Sequence, residues 1–470
     1  MMHLFAQKRR EFIAKSNVPE QPLIKCDDMP VGTRFTFVDF IPSYRGTDPN
    51  SGKATYHSFG ELVTFANVWL RTLNDWELIN CETGMTSYWR DPDLYCVSIW
   101  EKQTRDIFQQ RGLGIKEPSG TYVESALFVL RLWMKKKISP SASKVNLSYA
   151  DFEPQRLGGD DFEPLDHVVS RMNQELLSCE SCGRIINIET VNITSETRDF
   201  SECDPESVLC GNSSEIQGIL QFVRVYFNDD EVSKKILVGF KDFVPDHLSG
   251  GVILKPEYES FSDISDKAML WLAHDPDLIF ISAETRESPM KSRSSLDTKK
   301  MRHFLAKSGL DYIRYIRIWY GKELKLDINN GIDKLEGSSS MENEEPKINY
   351  FASKIVSTKH TGNLPLCITI NQTKNTVAKW FESESDEAIT IRGGNFIELF
   401  PKSKFDVKDE IENCYQAHNM FINRQKYLAA QIYFDVGSER GIEKIETIKR
   451  EKLFMNDDKK AVRSVHCIMS

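Results

Sequence analysis

The amino-acid sequence predicts an α+β protein made of four degenerate ferredoxin-like repeats, arranged as a tandem-duplicated pair. Three observations lead to this fold. Long segments recur at constant spacing, the first repeat follows the order β-α-β-β-α-β, and each repeat closes with an aromatic-rich apolar run typical of a strand. Because a repeat constrains the whole chain at once, it outweighs local propensity.

The clearest recurrence links the first and third repeats. The segment DFIP at 39–42 recurs as DFVP at 242–245, and the segment 56–70 recurs as 258–272 with Tyr, Ser, Phe, Ala and Trp-Leu at matching places. A Glu-Thr dipeptide then follows both copies at the same spacing. Chance does not explain this agreement, so we infer an internal duplication.

Two weaker copies complete the pattern. The second contains DFEP at 151–154 and an Ile-rich run that ends in Glu-Thr at 185–190, and the fourth opens at 347–350 with an echo of 144–147. The simplest history is a two-domain unit duplicated in tandem. The predicted boundaries are an N-terminal extension (1–31), repeat 1 (32–138), repeat 2 (139–229), repeat 3 (230–328), a Ser/Glu-rich linker (329–346), repeat 4 (347–436) and a C-terminal tail (437–470).

The elements of repeat 1 follow from its local patterns. An alternating run at 34–40 ends before Pro42, which suits the end of a strand. Ser58 and Glu61 form a predicted capping box, followed by apolar residues at helical spacing as far as Leu73. The remaining elements are a strand at 76–82, a strand at 94–100, a short helix at 104–111 and a closing strand at 123–134. Repeats 2 and 3 lack a clear third strand, so we expect them to be reduced to three strands.

The succession of an FxDFIP strand, a helix ending in Trp69-Leu70 and a strand ending in Glu82-Thr83 remotely resembles the cofactor-independent monooxygenase-like α/β barrels. Those proteins pack pairs of such units sheet to sheet. The resemblance lies in the element order of each repeat and includes no catalytic motif. It therefore implies a fold and carries no activity with it.

The composition is that of a folded protein without a dominant basic face. The chain has 470 residues, of which 40% are hydrophobic and 27% charged, with a net charge of −9. Its first residues lack the apolar core of a secretory signal, and no apolar run is long enough to span a membrane. We expect a cytoplasmic, non-secreted protein that associates with a membrane only peripherally, with its 10 cysteines as thiols.

Nucleotide, nucleic-acid and redox motifs are poorly matched. The glycine loop at 46–53 has five residues between its glycines, where a phosphate-binding loop has four. The basic run at 135–137 lacks the aromatic pattern of an RNA-binding strand, and the histidines form no metalloprotease motif. We therefore expect neither a bound cofactor nor a nucleic-acid partner, and no catalytic residue can be assigned.

A zinc site is the weak metal hypothesis. Cys179 and Cys182 have the spacing of a zinc knuckle, and Cys203 and Cys210 follow at a distance compatible with a four-cysteine site. The separation between the second two is unusual for a ligand pair. Thiols in a loop-rich second repeat are the favoured interpretation.

A recurring acid and a recurring base suggest a structural ion pair. The residues are Glu82, Glu189 and Glu284 at the end of the second strand, and Arg131, Arg224 and Arg317 in the closing strand. In repeat 4 we matched the acid to Arg392 and the base to Gln431, so both change together. In a ferredoxin-like sheet two strands separate these positions, by about 14 Å. We therefore expect pairing between packed repeats and not within a sheet.

The most specific motif is the C-terminal sequence Cys467-Ile-Met-Ser470, which has the form of a farnesylation signal. A single lipid gives reversible membrane binding, and the neighbouring charges supply only a weak second signal. The sequence thus favours a non-enzymatic intracellular scaffold or interaction protein with protein partners, a prenyltransferase acting on its tail and a membrane surface. The alternative is a small-ligand-binding or cofactor-independent enzymatic α/β barrel with a pocket between paired repeats.

Overall fold

The computed structural model describes the central part of the chain in segments. These are residues 34–42, 44–47, 49, 54–91, 94–98, 124–141, 145–159, 161–179, 182–195, 200, 203–210, 218–232, 234–249, 256–290, 296–304, 311–324, 351–356, 390–399, 412–417 and 427–435. The predicted N-terminal extension, the 104–111 helix, the Ser/Glu-rich linker and the tail with Cys467 lie outside the described residues.

The described residues form a mixed α+β structure with mostly strands and three helices. The helices are α1 (Phe59–Leu70), α2 (Leu165–Ser178) and α3 (Phe261–His274). The strands are β1 (Phe35–Phe40), β2 (Tyr44–Thr47), β3 (Ala54–Tyr56), β4 (Trp76–Asp91), β5 (Leu94–Ser98), β6 (Glu124–Lys136), β7 (Leu147–Phe152), β8 (Arg156–Gly158), β9 (Asp161–Phe162), β10 (Gly183–Ser195), β11 (Leu209–Cys210), β12 (Gly218–Val232), β13 (Ile236–Phe243), β14 (His247–Ser249), β15 (Glu257–Tyr258), β16 (Leu278–Met290), β17 (Arg302–Phe304), β18 (Asp311–Glu323), β19 (Phe351–Val356), β20 (Thr390–Leu399), β21 (Tyr415–Ala417) and β22 (Tyr427–Asp435).

The long strands form four sheets with one strand order. Sheet 1 is β1-β6-β4-β5, sheet 2 is β7-β12-β10, sheet 3 is β13-β18-β16 and sheet 4 is β19-β22-β20. In sheets 1 to 4 the strands β6, β12, β18 and β22 are antiparallel to both of the strands beside them, so those two flanking strands run parallel to each other. This is a split β-α-β arrangement in sheets 1 to 3, where a helix connects the two parallel strands.

The strand order corrects one expectation. Two strands were expected to separate the closing strand from the second strand, but β6, β12 and β18 lie directly beside β4, β10 and β16. The predicted third strand of repeat 1 appears as β5, at the far edge of β4. Among the described residues, sheets 2 and 3 each have three long strands.

Local sequence signals explain where the helices begin. The Ser58 hydroxyl accepts a hydrogen bond from the Glu61 N–H, and the Glu61 carboxylate accepts one from the Ser58 N–H, so the predicted capping box is present. Ser260 and Asp263 form the same motif at α3. Helix α2 instead begins after Pro164, whose side chain makes no capping hydrogen bond.

Each helix packs its apolar face on its own sheet. Phe59, Leu62 and Ala66 of α1 are fully buried against sheet 1, and Ile264 and Leu272 of α3 are fully buried against sheet 3. The recurring tryptophan takes an equivalent role in both: Trp69 contacts the Phe40 ring edge-on at 5.6 Å, and Trp271 contacts Phe243 at 5.7 Å. Burial of these side chains is the main stabilising contribution.

The second strands bring the four sheets together. Strand β4 contacts β10, β10 contacts β16, β16 contacts β20, and β20 contacts β4 again. We call each of these four contacts a joint. No helix among the described residues is long and apolar enough to span a membrane.

Candidate functional site

A row of three charged residues crosses sheets 1, 2 and 3 at the same register position. In each row an aspartate of the first strand lies opposite an arginine of the central strand, which lies opposite a glutamate of the second strand. The rows are Asp39–Arg131–Glu82, Asp151–Arg224–Glu189 and Asp242–Arg317–Glu284. The predicted acid and base are therefore neighbours within a sheet, contrary to expectation.

The arginines make their strongest contact with the aspartates. Arg131, Arg224 and Arg317 each donate two hydrogen bonds to their aspartate, from Nε at 2.7 Å and from Nη2 at 2.8 Å. The arginine side chains are at most 2% exposed. A bidentate pair of this kind is the geometry that best compensates the desolvation of a buried guanidinium charge.

Sequence reasoning missed the aspartates, although their signal was present. Asp39, Asp151 and Asp242 are the acidic residues of the repeated Asp-Phe dipeptide that identified the first strand. The dipeptide was interpreted as a strand signature alone. An acidic residue that recurs at one place in an otherwise apolar strand indicates a buried partner of opposite charge.

The glutamates form the joints between sheets. Glu189 of sheet 2 accepts the N–H of Thr83 in sheet 1 at 2.9 Å, and Glu284 of sheet 3 accepts the N–H of Thr190 in sheet 2 at 2.9 Å. Glu82 of sheet 1 accepts the N–H of Gly394 in sheet 4 at 2.9 Å. Each carboxylate thus hydrogen-bonds a backbone N–H on the neighbouring strand.

Amide and hydroxyl side chains complete these joints two positions earlier in each strand. The Asn187 amide donates to the Cys81 carbonyl at 2.6 Å, and the Ser282 hydroxyl donates to the Ile188 carbonyl at 2.6 Å. The Asn80 amide makes the corresponding contact with the Ile391 carbonyl at 3.4 Å. Side chains therefore satisfy the backbone groups of edge strands that would otherwise need a paired strand.

A shared bulge turns the second strands toward their neighbours. The register shifts by one residue at Ile79, Ile186, Ile281 and Arg392, immediately before the residue that faces the joint. Bulges of this kind re-aim the side chains that follow. The register also corrects the sequence match in repeat 4: Asn395, and not Arg392, lies opposite Gln431. Arg392 instead contacts Asp435 at 3.4 Å.

The arginines also reach across the joints. Arg224 donates to the Thr83 hydroxyl at 3.2 Å, and Arg317 donates to the Thr190 hydroxyl at 3.1 Å. Glutamate and arginine of one sheet thus bind the same threonine of the preceding sheet. Among the ion pairs of the described residues, contact between the arginine and the glutamate of one row occurs in sheet 1 alone, where Arg131 Nη1 lies 3.5 Å from Glu82 Oε1.

Sheet 4 carries a neutral version of the row. Ile355, Gln431 and Asn395 occupy the register positions of aspartate, arginine and glutamate. Gln431 and Tyr433 nevertheless bind the hydroxyl of Thr285 in sheet 3, the counterpart of Thr83 and Thr190. The contact point is retained while the charges are replaced.

Two glycines allow sheet 4 to approach its neighbours. A Cβ atom on Gly393 would lie 2.2 Å from the backbone oxygen of Ala283 in sheet 3. One on Gly394 would lie 2.4 Å from the Trp133 ring of sheet 1. At these two positions, both joints of sheet 4 therefore leave no room for a residue with a side chain.

Burial shifts the titration of two glutamates. Burial raises the pKa of Glu82 to about 8, against the opposing charge of Arg131, and raises the pKa of Glu189 to about 7. A second guanidinium, that of Arg286, lies 3.8 Å from the Glu284 carboxylate. The equivalent positions in sheets 1 and 2 are Gly84 and Val191, which carry no charge.

Sheets 1, 2 and 3 also each receive a short arm from the segment that follows them. Strand β11 pairs with β6, β17 pairs with β12, and β21 pairs with β18. The same arms cover helix N-termini: the Glu206 carboxylate accepts the N–H of Gly60, and the Glu412 carboxylate accepts the N–H of Ser262. Nothing in the local sequence pattern identified these two glutamates, because their role depends on a distant helix.

The hypothesis of a four-cysteine zinc site is not supported by the arrangement of the described residues. Cys179 and Cys182 form a disulfide at the end of α2, whereas thiols were expected. Cys203 packs against the core of sheet 1 as a thiol, and Cys210 is described only by its backbone in β11. Within the described residues, no group of three His, Cys, Asp or Glu side chains could hold a metal ion.

Comparison with known proteins gave no match to a protein-family model, to a curated protein or to a solved structure. The repeated polar residues bind one another and neighbouring backbone, which is an arrangement that holds sheets together.

Proposed function

We propose that this protein is a non-enzymatic intracellular scaffold of four degenerate ferredoxin-like repeats, held reversibly at a membrane by a farnesyl chain on Cys467. The supporting observation is the use of its recurring polar residues. Two glutamates and two arginines form hydrogen bonds across the joints between sheets: Glu189, Glu284, Arg224 and Arg317. A catalytic group needs a free face toward substrate, whereas these groups face backbone of the next sheet.

The repeat assignment is supported by the shared strand order. Sheets 1 to 3 have the β-α-β-β order that begins a ferredoxin-like unit, and sheet 4 has the same order of strands. The common bulge and the common row position strengthen the equivalence of the four sheets. In such a framework the shape is kept while the surface residues differ from repeat to repeat. This arrangement suits a protein that presents binding surfaces to several partners.

The tightness of the joints favours a scaffold over the ligand-binding or enzymatic barrel. A pocket between paired sheets would need open space lined by a few converging polar groups. At sheet 4, Gly393 and Gly394 approach their neighbours too closely for even a methyl group. Native mass spectrometry of the purified full chain tests this point: a retained small molecule would favour the barrel.

The lipid proposal rests on the sequence Cys467-Ile-Met-Ser470. The Cys467 thiolate would attack the first carbon of a prenyl diphosphate and form a thioether, with diphosphate as the leaving group. One such chain gives weak, reversible membrane binding, so partner contacts would contribute to retention.

The decisive experiment compares the full chain with Cys467→Ser in a eukaryotic cell, with Ser464→Ala as a tail control outside the motif. We expect intact mass to reveal one farnesyl group in the wild type and in Ser464→Ala, and membrane recovery to fall in Cys467→Ser. Intact mass of the unprenylated Cys467→Ser chain also tests whether Ser470 is the carboxyl terminus. An unmodified wild type that stays out of the membrane fraction would overturn the lipid part of the proposal.

A further inference from the structure

The joint between sheets 1 and 4 differs from the other two glutamate joints in how its carboxylate is bonded. Glu189 accepts from the Thr83 N–H and from the Tyr226 hydroxyl, at 2.9 and 3.0 Å. Glu284 accepts from the N–H and hydroxyl of Thr190 and from the Trp319 indole. Glu82 Oε2 accepts from Gly394, while Glu82 Oε1 is buried without a hydrogen-bond donor among the described residues.

The charges around Glu82 do not compensate for the missing donors. Arg131 Nη1 lies 3.5 Å from Oε1, whereas the Nε and Nη2 of the same guanidinium are directed to Asp39 at 2.7 and 2.8 Å. The titratable and charged groups that act on Glu82 include Arg131 of β6, Asp39 of β1, Glu189 of β10 and the Cys81 thiol of its own strand. On the fourth side, strand β20 presents a backbone N–H. Ionised Glu82 would therefore be a third carboxylate in a buried group with a guanidinium already paired to Asp39.

We propose that the joint between sheets 1 and 4 is a proton-dependent latch, closed when Glu82 carries a proton and loosened when Glu82 ionises. The joint links residues 312 positions apart in the chain, compared with 106 and 94 for the Glu189 and Glu284 joints. It is thus the contact that closes the cycle of sheets, and its loss would separate sheets 1 and 4, which are the two sheets farthest apart along the chain.

The direction of the pH effect follows from the position of the proton. In an open joint Glu82 contacts water and ionises near its ordinary pKa of 4.5, whereas in the closed joint burial raises the pKa to about 8. The closed state therefore holds a proton that the open state releases between these values. Its advantage is complete below pH 4.5, declines as pH rises, and is lost above about pH 8.

Hydrogen exchange of the full chain as a function of pH measures this latch. Exchange rates are corrected for the intrinsic pH dependence of amide exchange and followed in two peptides, β20 (390–399) and β16 (278–290). With one proton linked to opening, we expect exchange in β20 to rise about tenfold per pH unit from pH 6 and to level off above pH 8. The β16 peptide is the internal control, because its glutamate, Glu284, bonds the backbone N–H of Thr190 in sheet 2 and not strand β20.

Variants assign the effect to one carboxyl group. Glu82→Gln keeps the shape of the side chain without a titrating proton, so the extra pH dependence of β20 should disappear. Glu189→Gln is the control at the neighbouring joint: because the Glu189 charge raises the pKa of Glu82, the β20 slope should persist in this variant but level off at a lower pH. A β20 slope that survives in Glu82→Gln overturns the proposal.

The wild-type measurement decides the matter even where Glu82→Gln does not fold. A β20 peptide whose corrected exchange is flat from pH 6 to pH 8 rules out the latch without any variant. A β20 peptide that rises no more than β16 does the same, since it indicates general loosening of the fold.

Discussion

The joint between sheets 1 and 2 and the joint between sheets 3 and 4 bind the same kind of threonine with different chemistry. At the first, Glu189 and Arg224 reach Thr83, backed by Asp151. At the second, neutral Gln431 and Tyr433 reach Thr285. All three charged positions of the row are replaced together in sheet 4. Because removing one member of a buried charged group leaves the others uncompensated, the row changes as a whole or not at all.

The largest expected effect breaks one charged row. Arg224→Met removes the guanidinium that pairs with Asp151 and leaves two buried acids facing each other. We expect the free energy of unfolding to fall by about 3–5 kcal/mol. Gln431→Met at the equivalent position of sheet 4 should cost about 1 kcal/mol, because Thr285 keeps the Tyr433 hydroxyl. Urea unfolding of both variants provides the test, and equal losses would contradict the contrast between the joints.

The second prediction transplants the neutral row into sheet 1. Asp39→Ile, Arg131→Gln and Glu82→Asn combined reproduce the residues of sheet 4. Removing all charges leaves no ion without its counterpart, so the triple variant should be more stable than Arg131→Gln alone by about 2–3 kcal/mol. Chemical unfolding of the single, double and triple variants measures this coupling. Simple additivity of the three losses would show that the row does not act as a unit.

How much of this arrangement was visible in the sequence depends on the range of each interaction. The start of α1 at Ser58 and the strand that ends in Asp39-Phe40 were predictable, because capping and alternation are local. The pairing of Arg131 with Glu82 was placed wrongly because it depends on strand order, and the expected fourth strand misled the assignment. The match in repeat 4 was displaced by three residues, from Asn395 to Arg392, because the register makes Arg392 the counterpart of the bulged Ile186 and the apolar spacing alone did not locate that bulge.

The third prediction concerns how closely sheet 4 fits. Gly393→Ala places a methyl group 2.2 Å from the Ala283 carbonyl oxygen, and backbone cannot rotate away as a side chain can. The two strands must separate, at a cost of about 1–3 kcal/mol. Gly84→Ala is the control, because its nearest neighbour at 2.9 Å is the Val129 side chain, which can move. Thermal unfolding that ranks Gly84→Ala as the more damaging change would contradict this account of the joint.

The smallest expected effect separates the joints from the contacts between helices and neighbouring sheets. The Asn67 amide of α1 accepts from the Leu147 N–H at 2.8 Å and donates to the Leu147 carbonyl at 2.7 Å, so it pairs with the edge of sheet 2 as a strand would. Asn173 of α2 repeats this contact on Val238 of sheet 3.

Asn67→Ala leaves both backbone groups of Leu147 without these partners, and we expect a loss of about 1–2 kcal/mol with faster hydrogen exchange in β7. Val68→Ala, on the exposed side of the same helix, should change neither quantity appreciably. If Asn67→Ala also accelerated exchange at Thr83, the helix contact and the charged joint would form one cooperative unit. Exchange confined to β7 would instead indicate that the charged rows, independently of the helices, hold the sheets together.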